Sequence, residues 1–202
     1  MLATKGIAET ITPEELAELP IRRYAGPVHL VTSHRELESA AADLHRETVV
    51  GFDTETPPIF RKGQAAHLPT LVQMATGRAV YLFPLRHVPD TALLRATLEN
   101  PRLIKAGLAL AHDLKELRRV FEFQEHGALD LGVVAHRIGL KKTGLRNLAG
   151  IFLRYRVPKG PRTSNWGRYP LTPQQILYAA TDAWVCRELY LRFDRLGLLA
   201  AA

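Results

Sequence analysis

The sequence predicts an α/β fold: a mixed β-sheet flanked by α-helices. Three observations lead there. Two apolar runs, Leu71 to Ala75 and Ala79 to Phe83, flank the turn Thr76-Gly77-Arg78 and read as a hairpin. Downstream, helical patterns alternate with short apolar runs, which is the rhythm of βα units. The last helix is long and opens at Thr172-Pro173-Gln174-Gln175, a capping box with proline at the first helical position.

The elements follow in order. Thr12-Pro13-Glu14-Glu15 is a second capping box, so a short helix starts there and stops at Pro20. Val28 to Val31 is a short strand. Ser33 caps an amphipathic helix to about Arg46, with Leu37, Ala41 and Leu44 on one face. Thr48 to Asp53 is apolar and β-branched, hence a strand. After the hairpin come a helix near Asp90 to Leu98, a strand near Leu103 to Ala106 and a helix from about Leu110 to Phe121. Ala128 and Leu129 form one more strand, and Asp130 caps a helix to Ile138. Helical segments lie near Gly144 to Phe152. A loop rich in Pro, Gly and Arg runs from Val157 to Pro170, and the final helix extends to about Leu196. Residues 1–26 are expected to be an N-terminal arm with its short helix, and 27–202 a single domain.

Composition excludes several classes. The 202 residues are 47% hydrophobic and 23% charged, enough to bury a core without staples. One cysteine, Cys186, rules out a disulfide framework and a cysteine-based zinc site. No apolar run approaches the roughly 18 residues of a membrane span, and the first residues lack a signal-peptide core. The expectation is a cytoplasmic protein with no membrane partner. No phosphate-cradling G-x-x-x-x-G-K-[ST] is present, and the histidines show no ligand spacing.

The net charge of +7 is concentrated. From Leu131 to Thr181 there is no Asp or Glu but nine cations: Arg137, Lys141, Lys142, Arg146, Arg154, Arg156, Lys159, Arg162 and Arg168. Phe152, Tyr155, Trp166 and Tyr169 are interleaved with them. Cations that pair with phosphates and rings that stack on bases suit a single-stranded nucleic-acid groove. A solvated basic face is the competing reading.

Against this excess stand acids on faces that should be apolar. The strand period of two points Asp53 and Glu55 the same way, and two such carboxylates repel unless something positive lies between them. An isolated pair of this kind is also found at ordinary strand ends. Asp113 lies just inside the helix whose apolar positions are Leu110, Leu114, Leu117 and Phe121, where the helix dipole alone would favour it. In the last helix Tyr178, Ala179, Cys186, Leu189 and Phe193 share one arc, with Asp182 near its middle and Thr181, Glu188 and Arg192 on another face. A buried Asp182 must be paired with an arginine, protonated or bound to metal. Tyr178, four residues earlier, shares its face. Four carboxylates without cysteine or clustered histidine select Mg²⁺ or Mn²⁺ over zinc. Two such ions about 3.5–4 Å apart clamp the attacking and leaving oxygens of a displacement at phosphorus. Phosphodiester hydrolysis is the inference.

These residues resemble a known family. Gly51-Phe52-Asp53-Thr54-Glu55, Lys105-Ala106-Gly107 leading to Asp113, and Tyr178-Ala179-Ala180-Thr181-Asp182-Ala183 look like the three exonuclease motifs of the DEDD superfamily. Tyr178, in place of a histidine, resembles the DEDDy subclass, which includes ribonuclease D and the Werner-type exonuclease domain. Arg162-Thr163-Ser164-Asn165-Trp166 followed by Pro170-Leu171-Thr172 resembles the approach to the third motif. The similarity runs from about Pro27 to Phe193. It implies an RNase H-like fold and 3′–5′ exonucleolysis that releases nucleoside 5′-monophosphates from DNA or RNA 3′ ends, single strands being the expected substrate. It further implies that Asp53, Glu55 and Asp182 hold the metal that activates water, that Asp53 with Asp113 holds the second, and that Tyr178 orients the nucleophile. Lys159 and Arg162 are candidates for contacting phosphate, and with Arg146 and Trp166 they make up the candidate nucleic-acid-binding set.

Two departures stand out. Thr56 precedes Pro57-Pro58 where Werner-type relatives carry an aromatic residue, and the chain ends at Ala202 without an attached helicase or helical binding domain. Substrate grip is therefore expected from this domain, a partner or oligomerisation. Two competing readings are a catalytically idle nucleic-acid-binding module and an oligonucleotide-clearing phosphodiesterase.

Overall fold

Thr12 opens the first helix, α1 (Pro13–Glu18), by the expected reciprocal capping box, and Ser33 does the same for α2 (His34–Leu44). This is a computed structural model that describes residues 7–59, 66–160 and 163–199. Between those helices lies β1 (Val28–Leu30). After them come β2 (Val49–Glu55) and the hairpin β3 (Leu71–Ala75) and β4 (Val80–Pro84). Then follow α3 (Ala92–Glu99), β5 (Ile104–Gly107), α4 (Leu110–Leu117), β6 (Ala128–Asp130), α5 (Leu131–Arg137) and α6 (Leu145–Leu148). A π-helical turn, Ala149–Leu153, follows α6, and α7 (Pro173–Arg195) completes the chain.

The strands form one six-stranded sheet in the order β1-β4-β3-β2-β5-β6. The β2, β3 and β4 meander is antiparallel, while β1 joins β4, and β5 and β6 join beyond β2, in parallel. The sheet is therefore mixed, as predicted. Period-two alternation divides its side chains. Val50, Phe52, Val72, Met74, Tyr81 and Phe83 pack with α2, α3 and α4. On the opposite face Val49 and Ala106 pack with α5 and α7, and Leu71, Ala75, Val80 and Leu82 with the first half of α7. Asp53 and Glu55 rise from the α7 face at the end of the central strand.

Four expectations change in detail. Ala40 rather than Ala41 is buried with Leu37 and Leu44 in α2. The fourth helix ends at Leu117, not Phe121, because the chain turns there to reach β6 and Phe121 instead packs on Phe123, 5.3 Å between ring centroids. The 144–152 segment divides into α6 and the π turn. Thr181, which helical spacing groups with Glu188 and Arg192 on another face of the last helix, is buried, because α7 is covered on two sides in its first half; its hydroxyl donates to Leu177 O at 2.6 Å and accepts from Tyr24 N at 3.1 Å.

The arm preceding β1 packs on this framework. Leu16 of α1 is buried, Ile21 bridges to Arg156, and Arg22 N donates to Arg156 O at 3.0 Å. Lys105 of β5 is buried as well; its Nζ donates to Asn100 O at 2.9 Å, and burial lowers its ammonium to about 8. Among the described residues no helix is long and apolar enough to cross a membrane.

Candidate active site

Gly51 positions the site. A Cβ there would overlap the Ala183 carbonyl oxygen of α7, so the helix backbone lies directly on the central strand. Asp182, one residue before Ala183, is thereby carried to Asp53 and Glu55, two and four residues beyond Gly51. Ligand oxygens of Asp53, Glu55 and Asp182 all lie within 4.8 Å of one another. Glu55 and Asp182 are buried and Asp53 is half-buried.

Asp113 stands beside this group rather than in it. Its carboxyl is hydrogen-bonded to Thr54, between the two strand acids, and burial raises it to about 6, with Asp130 adding to the rise. Its approach depends on how α4 begins. Ala109, immediately before the helix, adopts φ 56° and ψ 30°, a left-handed conformation that is unfavourable for an L-residue. Leu110 N then donates to Asp130 Oδ2 at 3.1 Å, while Asp130 Oδ1 accepts from Gly132 N at 2.8 Å. Asp130 thus caps α5, as expected, and also holds the start of α4.

Tyr178 and Asp182 are joined across one turn of α7. The phenol donates to the Asp182 carboxylate, and burial with the adjacent Asp182, Glu55 and Asp53 raises the phenol above its ordinary value. The tyrosine is thereby held protonated. Burial also raises the Asp182 carboxyl, and the Tyr178 hydrogen bond opposes that rise. Gly160 flanks the ring so closely that a Cβ would overlap it. The 157–160 segment is therefore a wall of the site, a role that spacing alone did not reveal.

A cleft of about 820 Å³ opens over the acids and is lined also by Leu16, Arg146, Lys159 and Tyr178. Arg146 Nε donates to Val157 O at 3.0 Å, which ties this cation to the wall. Lys159 borders both this cleft and a neighbouring hollow of about 590 Å³ that includes Arg23 and Tyr178. Arg162 lies outside the described residues. Trp166 corrects an expectation: it is 2% exposed, packs among Leu71, Leu82 and Ala179, and lies 6.0 Å from the Tyr178 ring. It backs the tyrosine instead of facing the cleft as a stacking platform. Of the aromatics in the basic segment, Phe152 is buried and Tyr155 stacks on Trp184, while Tyr169 is 43% exposed and stacks on His87.

Oxygen donors from two separated segments at this spacing fit a hard divalent cation, and the group includes no sulfur or imidazole donor that would favour zinc. A mixed sheet flanked by helices, with carboxylates converging at the end of its central strand, places the chain in the RNase H-like fold class. The Aedes aegypti Nibbler EXO domain superposes with a TM-score of 0.76 at 23% identity, covering 87% of this chain and 92% of that one. Escherichia coli RNase D superposes with a TM-score of 0.73 at 23% identity, covering 86% of this chain and 47% of that one. The sequence profile described as 3′-5′ exonuclease matches residues 28–197, and the chain belongs to that family. It is 32% identical over 169 residues to the bifunctional 3′-5′ exonuclease/ATP-dependent helicase WRN of Mus musculus, covering 79% of this chain and 12% of that protein. It is 27% identical over 175 residues to ribonuclease D of Haemophilus influenzae, covering 84% of this chain and 43% of that protein. The chain thus spans only part of these relatives.

Proposed function

We propose that this chain is a 3′–5′ exonuclease that uses two Mg²⁺ or Mn²⁺ ions to hydrolyse phosphodiester bonds at the 3′ ends of single-stranded DNA or RNA, releasing nucleoside 5′-monophosphates. The observation that carries the reading is the convergence of Asp53, Glu55 and Asp182 within 4.8 Å, with Tyr178 bonded to the last of them. Membership of the 3′-5′ exonuclease family supports it.

Asp53, Glu55 and Asp182 would hold one ion, and Asp53 with Asp113 the other. Bound there, the ions would activate a water and neutralise charge on the leaving oxygen. The chain's own residues supply position. Tyr178, fixed by Asp182 on one side and Gly160 on the other, orients the attacking water through its hydroxyl. Arg146 and Lys159 attract the phosphate backbone along the cleft, an interaction that weakens with salt. Retention of all four acids together with the tyrosine favours catalysis over an idle binding module. Incubating the protein with 5′-labelled single-stranded DNA and RNA of several lengths, with Mg²⁺ or Mn²⁺ and with chelator, tests the reading. Metal-dependent shortening from the 3′ end is expected. Salt-sensitive binding without shortening contradicts it, and cleavage confined to the shortest oligonucleotides would instead favour an oligonucleotide-clearing phosphodiesterase.

A further inference from the structure

Asp53 has a neighbour that the catalytic reading does not use. Gln73 stands directly opposite Asp53 in the antiparallel β2–β3 ladder, so both side chains rise from the α7 face. Directly opposed residues of this kind have Cβ atoms about 4.5–5.5 Å apart. On its other side Gln73 faces Leu82 of β4, and along its own strand the same face carries Leu71 and Ala75. Those three residues belong to the apolar cluster beneath Ala179, Ala180 and Ala183. Gln73 is 0% exposed, and neither its Nε2 nor its Oε1 meets a hydrogen-bonding partner among the described residues.

A primary amide in an apolar layer is costly unless its polar atoms are used, and leucine or methionine would fill the same space without that cost. Of its ladder and same-face neighbours, Leu71, Ala75 and Leu82 offer side chains with nothing to bond. Asp53, directly opposite, offers a charged acceptor. Carboxylates that ligate metal are themselves held by hydrogen bonds, and losing such a partner typically weakens metal binding about 10–100-fold.

We infer that Gln73 is a positioning residue of the metal centre: its amide, without a partner among the described residues of the metal-free chain, donates an N–H to the Asp53 carboxylate when a divalent cation is bound and fixes the orientation in which that carboxylate takes it. This rests on the metal-dependent reading above. Gln73 touches neither substrate nor reacting atoms in this role; it acts through Asp53.

Gln73→Met and Gln73→Leu test the assignment, because both replace the amide with apolar side chains of similar size. Mn²⁺ binding to the full chain without nucleic acid, followed by calorimetry, should weaken about 10–100-fold in both. The metal-free thermal midpoint should hold or rise, and exonuclease activity should recover as Mn²⁺ is increased. Wild-type Mn²⁺ affinity in either folded variant overturns the assignment, as does a fall in metal-free stability with affinity unchanged, which would mark Gln73 as core filling only. If the wild-type chain itself binds no Mn²⁺, the metal-dependent reading falls and this inference with it. Should neither variant fold, a Mg²⁺ titration of the ¹⁵N-labelled wild type decides. The Gln73 side-chain NH₂ resonances should shift and gain protection from exchange; unchanged resonances overturn the assignment.

Discussion

Gly51 of β2 and Ala183 of α7 meet backbone to backbone, with the Ala183 carbonyl oxygen occupying the space that a Cβ at position 51 would need. Every carboxylate of the cluster lies within four residues of this contact, so its geometry sets theirs. Gly51→Ala should lift α7 off the strand and carry Asp182 away from Asp53 and Glu55. Overpacking of this kind costs about 1–3 kcal/mol. The expected outcome is a lowered thermal midpoint together with weaker Mn²⁺ binding, read by melting and by calorimetry.

The acids themselves resist ionisation. Asp113 and Asp182 are both raised to about 6 in the folded chain, chiefly by burial, against an ordinary value near 3.8. Folding therefore binds extra protons between about pH 4 and 6. The stability linked to those protons is complete below the unfolded value and is lost as pH rises through 6. Metal-free protein should lose this contribution between pH 4 and 7, and added Mn²⁺ should raise the melting temperature at pH 7.5 far more than at pH 5. Asp182→Asn, which cannot ionise, should be about 1–3 kcal/mol more stable than wild type at pH 7.5 without metal, while losing activity. Melting curves with and without Mn²⁺ at the two pH values check both statements.

Tyr178 bears on both the metal centre, through its hydrogen bond to Asp182, and the position of the attacking water. Tyr178→Phe keeps the ring that Trp166 supports and removes only the hydroxyl; because that hydroxyl donates to Asp182, a proposed metal ligand, Mn²⁺ affinity should weaken, by up to about 10–100-fold. At saturating metal the turnover number should still fall about 10²-fold, the scale expected when a reacting group is slightly misplaced. Gly160→Ala should reproduce that pattern in weaker form by pushing against the ring. Single-turnover kinetics at saturating metal, beside calorimetry, separates the two effects.

Two nearby acids should behave oppositely. Asp113→Asn should impair metal-dependent cleavage, because its carboxylate borders the cluster through Thr54. Asp130→Asn keeps an oxygen able to accept from Leu110 N or Gly132 N and should retain activity. Asp130→Ala should cost about 1–2 kcal/mol by uncapping α5, with any loss of activity following the loss of fold. Comparing activity with melting temperature for the three variants checks this.

Local signals made much of this legible in the sequence. Thr12, Ser33 and Thr172 each begin a helix by a capping box that needs only four residues, and the 71–84 hairpin follows from its turn. Asp53 and Glu55 were placed on one face by the strand period alone. What local pattern could not supply was long-range approach. The meeting of Asp182 with the strand pair depends on bare backbone at Gly51, and the placement of Asp113 on an unfavourable conformation at Ala109. Trp166 sits in an irregular loop where no periodicity distinguishes a buried ring from an exposed one. The burial of Thr181 arises because the arm covers a second side of α7, a contact between residues 157 positions apart. Gln73 carries no local signal in the hairpin pattern; its register opposite Asp53 exists only in the folded sheet.

Removing one carboxylate while watching the 3′ end of a substrate bears most directly on the function. Wild type and Asp53→Ala are incubated with 5′-labelled single-stranded DNA and RNA, in Mn²⁺ and in chelator, after confirming that both melt cooperatively. Stepwise shortening from the 3′ end by wild type in Mn²⁺ alone, absent in the variant, is the expected result. No shortening by the folded wild-type chain on either substrate, or equal shortening by Asp53→Ala, would contradict it.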